Sequence, residues 1–169
     1  FNATTGALLP WTANAVRGRT DLPPQVNEGR AVAVSPDGAK VVVGGDLFTI
    51  NGQSSHSIAI VSGASPTDGT GGQVLRTYAP GFIPDTSVTK TIIDGGDGRF
   101  YIGNEGTGGG VFDGKAAFSW ATGDQVWRDT CLGATQSLVM YEGTLYSASH
   151  AHDCSGINAF NDGIRRYFM

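Results

Sequence analysis

The feature that most constrains the fold is a recurring pair of short apolar segments joined by a turn that contains glycine. The turn glycines are Gly38, Gly98 and Gly143, so the pair recurs after 60 and then 45 residues. The flanking segments are rich in β-branched residues and several are apolar at consecutive positions, which is typical of strands covered on both faces. Glycine makes up 26 of 169 residues, about twice the usual share, which favours many tight turns. The sequence therefore predicts an all-β protein with almost no helix.

A second element, a Thr-Gly turn between aromatic or apolar segments, alternates with these pairs. It occurs in residues 1–11 and 118–127, and a looser copy spans 60–78 around an insertion rich in Gly, Ser and Thr at 62–72. Together the two elements give units of four strands, the size of a repeating β-sheet unit. We expect one continuous segment over residues 1–169, divided into units at about 12–78, 79–127 and 128–169, with residues 1–11 completing a unit.

Residues 35–59 carry a resemblance to a known type of repeat. Ser-Pro-Asp-Gly at 35–38, Gly-Gly-Asp at 44–46 and Asn-Gly at 51–52 follow one another, and this order resembles the delta-60 repeat of bacterial extracellular β-propellers. The Thr-Gly segment that ends at Trp127 looks like the closing strand of quinoprotein-like propeller repeats. Residues 91–103 depart from the first pattern, because Gly-Asn-Glu follows where Gly-Gly-Asp is expected.

The resemblance implies an architecture and a compartment. It implies three blade-like antiparallel four-stranded sheets of a β-propeller, with the ring incomplete within this chain, and an extracellular, secreted protein. Because a propeller needs at least about four blades to close, missing blades or other chains are the expected partners. Such repeats host many functions, so the resemblance implies no activity.

The charge pattern and hydropathy exclude two classes of partner. The formal net charge is −4, and the basic residues form no cluster beyond Arg165 and Arg166, which disfavours nucleic acid. No apolar stretch approaches the roughly 18 residues that a membrane-spanning helix requires, so we expect no membrane span.

The two cysteines indicate a disulfide. The apolar segments 137–141 and 144–149 flank the turn Glu142-Gly143 and predict an antiparallel hairpin. If pairing continues outward in that register, Cys131 faces Cys154. The alternative is two unrelated thiols. A disulfide would favour an oxidising, extracellular setting.

Two segments contain side chains that could hold a metal. His150 and His152 are two residues apart, so on a strand they face the same side and could bind Zn²⁺ or Cu²⁺. The alternative is a pair of polar residues at the end of a strand, which we favour. The turn Asp94–Gly98 contains two carboxylates that suit Ca²⁺, but a calcium site needs at least about six oxygen ligands. We favour an ordinary turn there and predict no cofactor.

Carbohydrate binding is the ligand hypothesis that the aromatic residues suggest. Trp11, Trp120 and Trp127 could stack on sugar rings if they are exposed, and Asp46 is a further candidate ligand-binding residue. The alternative is that the tryptophans fill the space between packed sheets. Carboxylates at Asp37, Asp46 and Glu105 could serve glycoside hydrolysis if two of them lie about 5–10 Å apart.

Three functional hypotheses follow. The first is a secreted binding or scaffold module for glycan or protein recognition, because loops on rigid β-frameworks are common recognition sites. The second is an extracellular enzyme of polysaccharide breakdown, or part of one. The third is a structural subunit that assembles through open blade edges. Because the sequence contains no nucleophile elbow, phosphate-binding loop or Cys-His arrangement, a non-enzymatic role is favoured.

Overall fold

The computed structural model describes residues 1–16, 28–79, 82–83, 87–106, 112–129 and 133–149. These residues form thirteen strands and contain no helix, so none of them lies in a helix able to cross a membrane. In chain order the strands are β1 (Ala15–Val16), β2 (Glu28–Val34), β3 (Lys40–Asp46), β4 (Thr49–Ile50), β5 (Gln53–Ser54), β6 (Ile58–Ser62), β7 (Val74–Thr77), β8 (Val88–Asp94), β9 (Arg99–Glu105), β10 (Gly114–Ser119), β11 (Gln125–Arg128), β12 (Thr135–Tyr141) and β13 (Thr144–Ser149).

The strands form four antiparallel sheets, none of which closes on itself. The first sheet has the order β2-β3-β6-β7, the second has the order β8-β9-β10-β11, and the third is the hairpin β12-β13. A small sheet, β1-β4-β5, lies beside the first. The prediction of an all-β chain is confirmed. The prediction of three four-stranded sheets differs from the structure in two ways: within the described residues the third sheet has two strands, and the small sheet was not expected.

Two hairpins owe their tight turns to paired residues with positive φ. Asn51 and Gly52 have φ of 47° and 78° between β4 and β5, and Glu142 and Gly143 have φ of 47° and 75° between β12 and β13. Positive φ at both central residues is the type I′ geometry, whose twist matches that of the flanking strands. The sequence pairs Asn-Gly and Glu-Gly place glycine at the second of these positions.

The predicted hairpin around Glu142 is confirmed in its register. Tyr141 pairs with Thr144, and the pairing continues outward to Ser137 and Ala148. A β-bulge then shifts the register, so that Thr135 pairs with Ser149. Cys131 and Cys154 lie outside the described residues, and their disulfide stays a prediction.

The three main sheets stack in series by one packing rule. The first strand of each sheet packs against the first two strands of the preceding sheet: β8 lies on β2 and β3, and β12 lies on β8 and β9. Each first strand also carries a β-bulge at the same place, seven or eight residues before its turn glycine, at Arg30, Lys90 and Gln136. These shared bulges define equivalent positions in the three sheets.

Small residues on the second strand of each sheet allow the close approach. A Cβ atom on Gly44 would lie 2.7 Å from the Ile92 side chain, and one on Gly103 would lie 2.7 Å from Thr135. Such distances are too short for a real carbon contact, so glycine is required there for the next sheet to pack. Ala148 occupies the equivalent position in the third sheet.

The space between the first and second sheets, hereafter the first interface, holds the main hydrophobic core. Phe100 and Phe118 stack there with ring centroids 5.2 Å apart, and both are fully buried. Tyr78 packs edge-on against Phe118 and donates its hydroxyl to the carbonyl of Gly123 at 2.7 Å. Burial raises the pKa of Tyr78 well above its ordinary value. The second interface, between the second and third sheets, has a smaller core of Tyr101, Ala117 and Leu138.

Candidate functional site

The first sheet differs from the second in one long loop, and an open groove lies beside that loop. Five residues, 120–124, connect β10 to β11 in the second sheet, whereas the equivalent connection between β6 and β7 in the first sheet runs over residues 63–73. This longer loop faces the turn 36–39 and encloses a groove of about 770 Å³. Because loops that exceed the length needed for a connection often carry function, this groove is the candidate site.

Polar and apolar groups line the groove in similar proportion. The lining includes the side chains of Asp37, Ser65, Thr70 and Gln73, and the rings of Pro10 and Pro66 contribute apolar surface. Gln73 is exposed, and its backbone is already hydrogen-bonded to Ser62. The backbone of Gln73 thus anchors the loop, and its exposed side chain is accessible to a ligand.

Hydrogen bonds within the loop fix the shape of the groove. The amide of Ser62 donates to the carbonyl of Gln73 at 2.8 Å, and the amide of Gln73 donates to the Ser62 hydroxyl at 3.0 Å. The amide of Gly63 donates to the carbonyl of Ala39 at 2.8 Å, which ties the loop to the opposite turn. The walls are thus preorganised, which reduces the entropy lost on binding a ligand.

Two carboxylates are held in their ionised form near the groove. The Ser35 hydroxyl, 2.6 Å from Asp37 Oδ1, and the amide of Ala39 lower the pKa of Asp37 below its ordinary value. The amide and hydroxyl of Thr70 likewise lower the pKa of Asp68. At neutral pH both groups are negative, so the groove favours neutral or cationic ligands over anionic ones.

The three tryptophans lie in three different environments. Trp11 is half-buried against the first sheet, and its indole N–H donates to the Ser62 carbonyl at 2.8 Å, which supports a wall of the groove. Trp120 is 6% exposed and donates to Asp94 at 2.7 Å. Trp127 is 36% exposed on β11, with its ring 5.8 Å from that of Tyr101. The structure does not bring the three rings together into one platform.

The candidate carboxylates are divided between two ends of the sheets. Asp37 lies in the turn before β3, whereas Asp46 ends β3, so the seven-residue strand separates them by about 20 Å. Asp46 and Glu105 occupy equivalent strand ends in the first and second sheets. Asp46 is buried and Glu105 forms an ion pair with Lys90. Asp37 and Asp46 are therefore too far apart to act as a glycosidase pair.

The structure leaves the predicted histidine metal site as a prediction. His150 and His152 lie outside the described residues. In the part of the chain that the structure describes, no group of three or more His, Cys, Asp or Glu side chains gathers as a metal site would require. In the turn Asp94–Gly98, Asp97 accepts the hydroxyl of Tyr101 at 2.7 Å and Asp94 accepts the Trp120 indole, so both carboxylates have partners within the protein.

A buried polar network at the first interface was not anticipated from the sequence. Asn104 donates to the Ser87 hydroxyl at 2.8 Å and to the Ser57 hydroxyl at 3.3 Å, and it accepts from Thr89 at 3.1 Å. Ser87 donates to the carbonyl of Phe112 at 2.6 Å. The residues of this network come from separate parts of the sequence, so no local motif could have revealed the network. The groove, by contrast, had a signal in the Gly/Ser/Thr-rich insertion.

Comparisons with known proteins give no relative for this chain. No protein-family model matches the sequence, and neither the curated proteins nor the solved structures contain a significant match.

Proposed function

We propose that this chain is a non-catalytic recognition module that binds neutral carbohydrate in the groove between the turn 36–39 and the loop 63–73. The observation that carries the proposal is the groove itself, an open groove of about 770 Å³ whose walls are held by backbone hydrogen bonds. It is formed by the feature that distinguishes the first sheet from the otherwise similar second sheet. The strands that the two sheets share make the contacts between the sheets, whereas the long loop is not needed for those contacts.

The chemistry of the lining fits a sugar. Carboxylate, amide and hydroxyl groups at Asp37, Gln73 and Ser65 can donate to and accept from sugar hydroxyls. The prolines at 10 and 66 offer apolar rings for the C–H face of a pyranose. The ionised state of Asp37 disfavours uronic acids and sulfated sugars. We further propose that the sheets belong to a secreted, propeller-type scaffold, which is supported by their serial stacking.

Calorimetric titration tests the carbohydrate proposal. Purified chain is titrated with a soluble neutral β-glucan, a neutral mannan and polygalacturonate as the anionic comparator. We expect binding to a neutral polymer and none to polygalacturonate. The Gln73→Ala variant removes a hydrogen-bonding side chain, so it should weaken binding by about 0.5–1.5 kcal/mol, roughly 2- to 10-fold.

Gln53→Ala is the matched control, because Gln53 is an exposed glutamine on β5 and does not line the groove. It should bind as the wild type does. Absence of binding to every neutral polymer would contradict the proposal. Release of reducing sugar ends during the incubation would instead favour the polysaccharide-degrading enzyme, whose candidate carboxylates are Asp46 and Glu105.

A further inference from the structure

The outer face of the third sheet exposes large side chains at positions that are buried or partly buried in the other two sheets. Tyr146 is 53% exposed, whereas Tyr101 and Val42, at the equivalent positions of the second and first sheets, are 4% and 0% exposed. Val139 is 56% exposed, and Ala33 at the equivalent position of the first sheet is buried. In the first two sheets, the following sheet covers these positions.

The outer face of β2 shows the complementary pattern. Val32, Ile92 and Leu138 are equivalent, because each forms the second pair beyond the bulge on the first strand of its sheet. Ile92 is 7% exposed and Leu138 is 6% exposed, since each inserts against the preceding sheet. Val32 is 59% exposed, and Val34 on the same face is 51% exposed. Valine at 32 thus has the position and apolar character of an inserting residue.

The two exposed faces satisfy the packing rule of the main sheets. That rule requires the first strand of one sheet to lie on the first two strands of another. The third sheet offers β12 and β13, and β2 is the strand of the first sheet whose outer face is exposed. The neighbouring strands β3 and β6 are covered on that side by the segment that contains Trp11, Ala13 and Ala15. Ala148, at the position of Gly44 and Gly103, is small but carries a Cβ atom, and Val32, which would take the place of Ile92 against it, is one carbon smaller than isoleucine.

We propose that the outer face of the third sheet binds the β2 strand of a second copy of this chain. Val32 of one copy inserts between Val139 and Tyr146 of the other and continues the series of contacts made by Ile92 and Leu138. The contact is heterologous, because two different faces meet, so it produces closed rings or open chains of copies. It uses none of the residues that line the groove.

Light scattering coupled to size-exclusion chromatography tests the contact. Purified wild-type chain should give a mass above the 17.5 kDa of one chain, and the mass should rise with concentration. Val32→Asp and Tyr146→Asp should each give the mass of one chain, because a buried carboxylate blocks either face. An equimolar mixture of the two variants should give twice that mass. The intact third sheet of the Val32→Asp variant can bind the intact β2 of the Tyr146→Asp variant, and the blocked faces prevent further copies from adding.

Leu75→Asp is the control, because Leu75 is 50% exposed on β7 and lies outside both faces. It should associate like the wild type. If Val32→Asp does not fold by circular dichroism, Val32→Thr keeps the β-branched shape and should still weaken association. A wild type of single-chain mass at every concentration overturns the proposal. A mixture of the two variants that stays at the mass of one chain also overturns it. Loss of association with Tyr146→Asp but not with Val32→Asp overturns it as well, because it would indicate that the third sheet of one copy binds the third sheet of another.

Discussion

The two interfaces between the main sheets use the same backbone arrangement but differ in what fills them. At the first interface, Phe100 and Phe118 stack between four-stranded sheets, and Asn104 links a buried network of hydroxyl groups. At the second, Leu138 is the main inserting side chain, and the sheet that carries it has two strands within the described residues. A shared strand register therefore sets where the sheets meet, whereas the side chains that fill the two interfaces differ.

The polar groups of the two interfaces differ for an identifiable reason. Thr89 and Thr135 are equivalent, and each lies just before the bulge of its strand. The Thr89 hydroxyl has partners in Ser57 and Asn104, whereas the Thr135 hydroxyl is buried without a hydrogen bond among the described residues. The residue equivalent to Ser57 in the second sheet is Gly114, which has no hydroxyl to offer.

The largest difference should appear when one core side chain is removed from each interface. Phe118→Ala at the first should lower the free energy of unfolding by about 3–5 kcal/mol, and Leu138→Ala at the second by about 2 kcal/mol. Urea unfolding followed by fluorescence and circular dichroism measures both. Equal losses would show that the second interface is as tightly packed as the first.

A smaller loss should follow from disrupting the polar network. Asn104→Ala leaves the hydroxyl groups of Ser57, Ser87 and Thr89 without their shared partner in a buried site. We expect a loss of about 2 kcal/mol, because buried polar groups without partners are costly. Asn2→Ala is the comparison for a surface asparagine that only caps a local turn. A loss no larger than that of Asn2→Ala would mean that the network contributes nothing.

The smallest effect, and the most specific, concerns the two equivalent threonines. Thr135→Val replaces an unpaired buried hydroxyl with a methyl group, so it should leave stability unchanged or raise it by up to about 1 kcal/mol. Thr89→Val removes a paired hydroxyl and should lower stability by about 1 kcal/mol. The melting temperature should therefore fall for Thr89→Val and stay unchanged or rise for Thr135→Val. An equal loss of stability for the two variants would contradict the conclusion that the Thr135 hydroxyl lacks a hydrogen bond.

The parts of the fold that depend on local sequence were predictable, and those that depend on contacts between distant residues were not. Consecutive apolar residues and the turn glycines indicated the strands, and the register around Glu142 followed from the turn alone. The bulge at Gln136 left no local signal, although it shifts the pairing on the side of the hairpin that leads to Cys131. The small sheet also escaped prediction, because β1 joins β4 across more than thirty residues.

The candidate site was predictable only in part. The insertion at 62–72 marked the place, but Asp37 and Gln73 were not identified as neighbours, because the turn and the loop meet through backbone hydrogen bonds. Trp11 was predicted as a ligand residue, and the structure places it behind the wall of the groove. Ligand binding by Trp120, Trp127 and Asp46 stays a prediction.

Native-state hydrogen exchange measures the difference between the two interfaces most directly. Amides in the centre of β3 and β9 should exchange only through global unfolding, because both strands are buried at the first interface. Amides of β12 and β13 should exchange through a separate opening of lower free energy, in which the third sheet detaches while the first two remain folded. A single free energy of opening shared by all four strands would contradict the account.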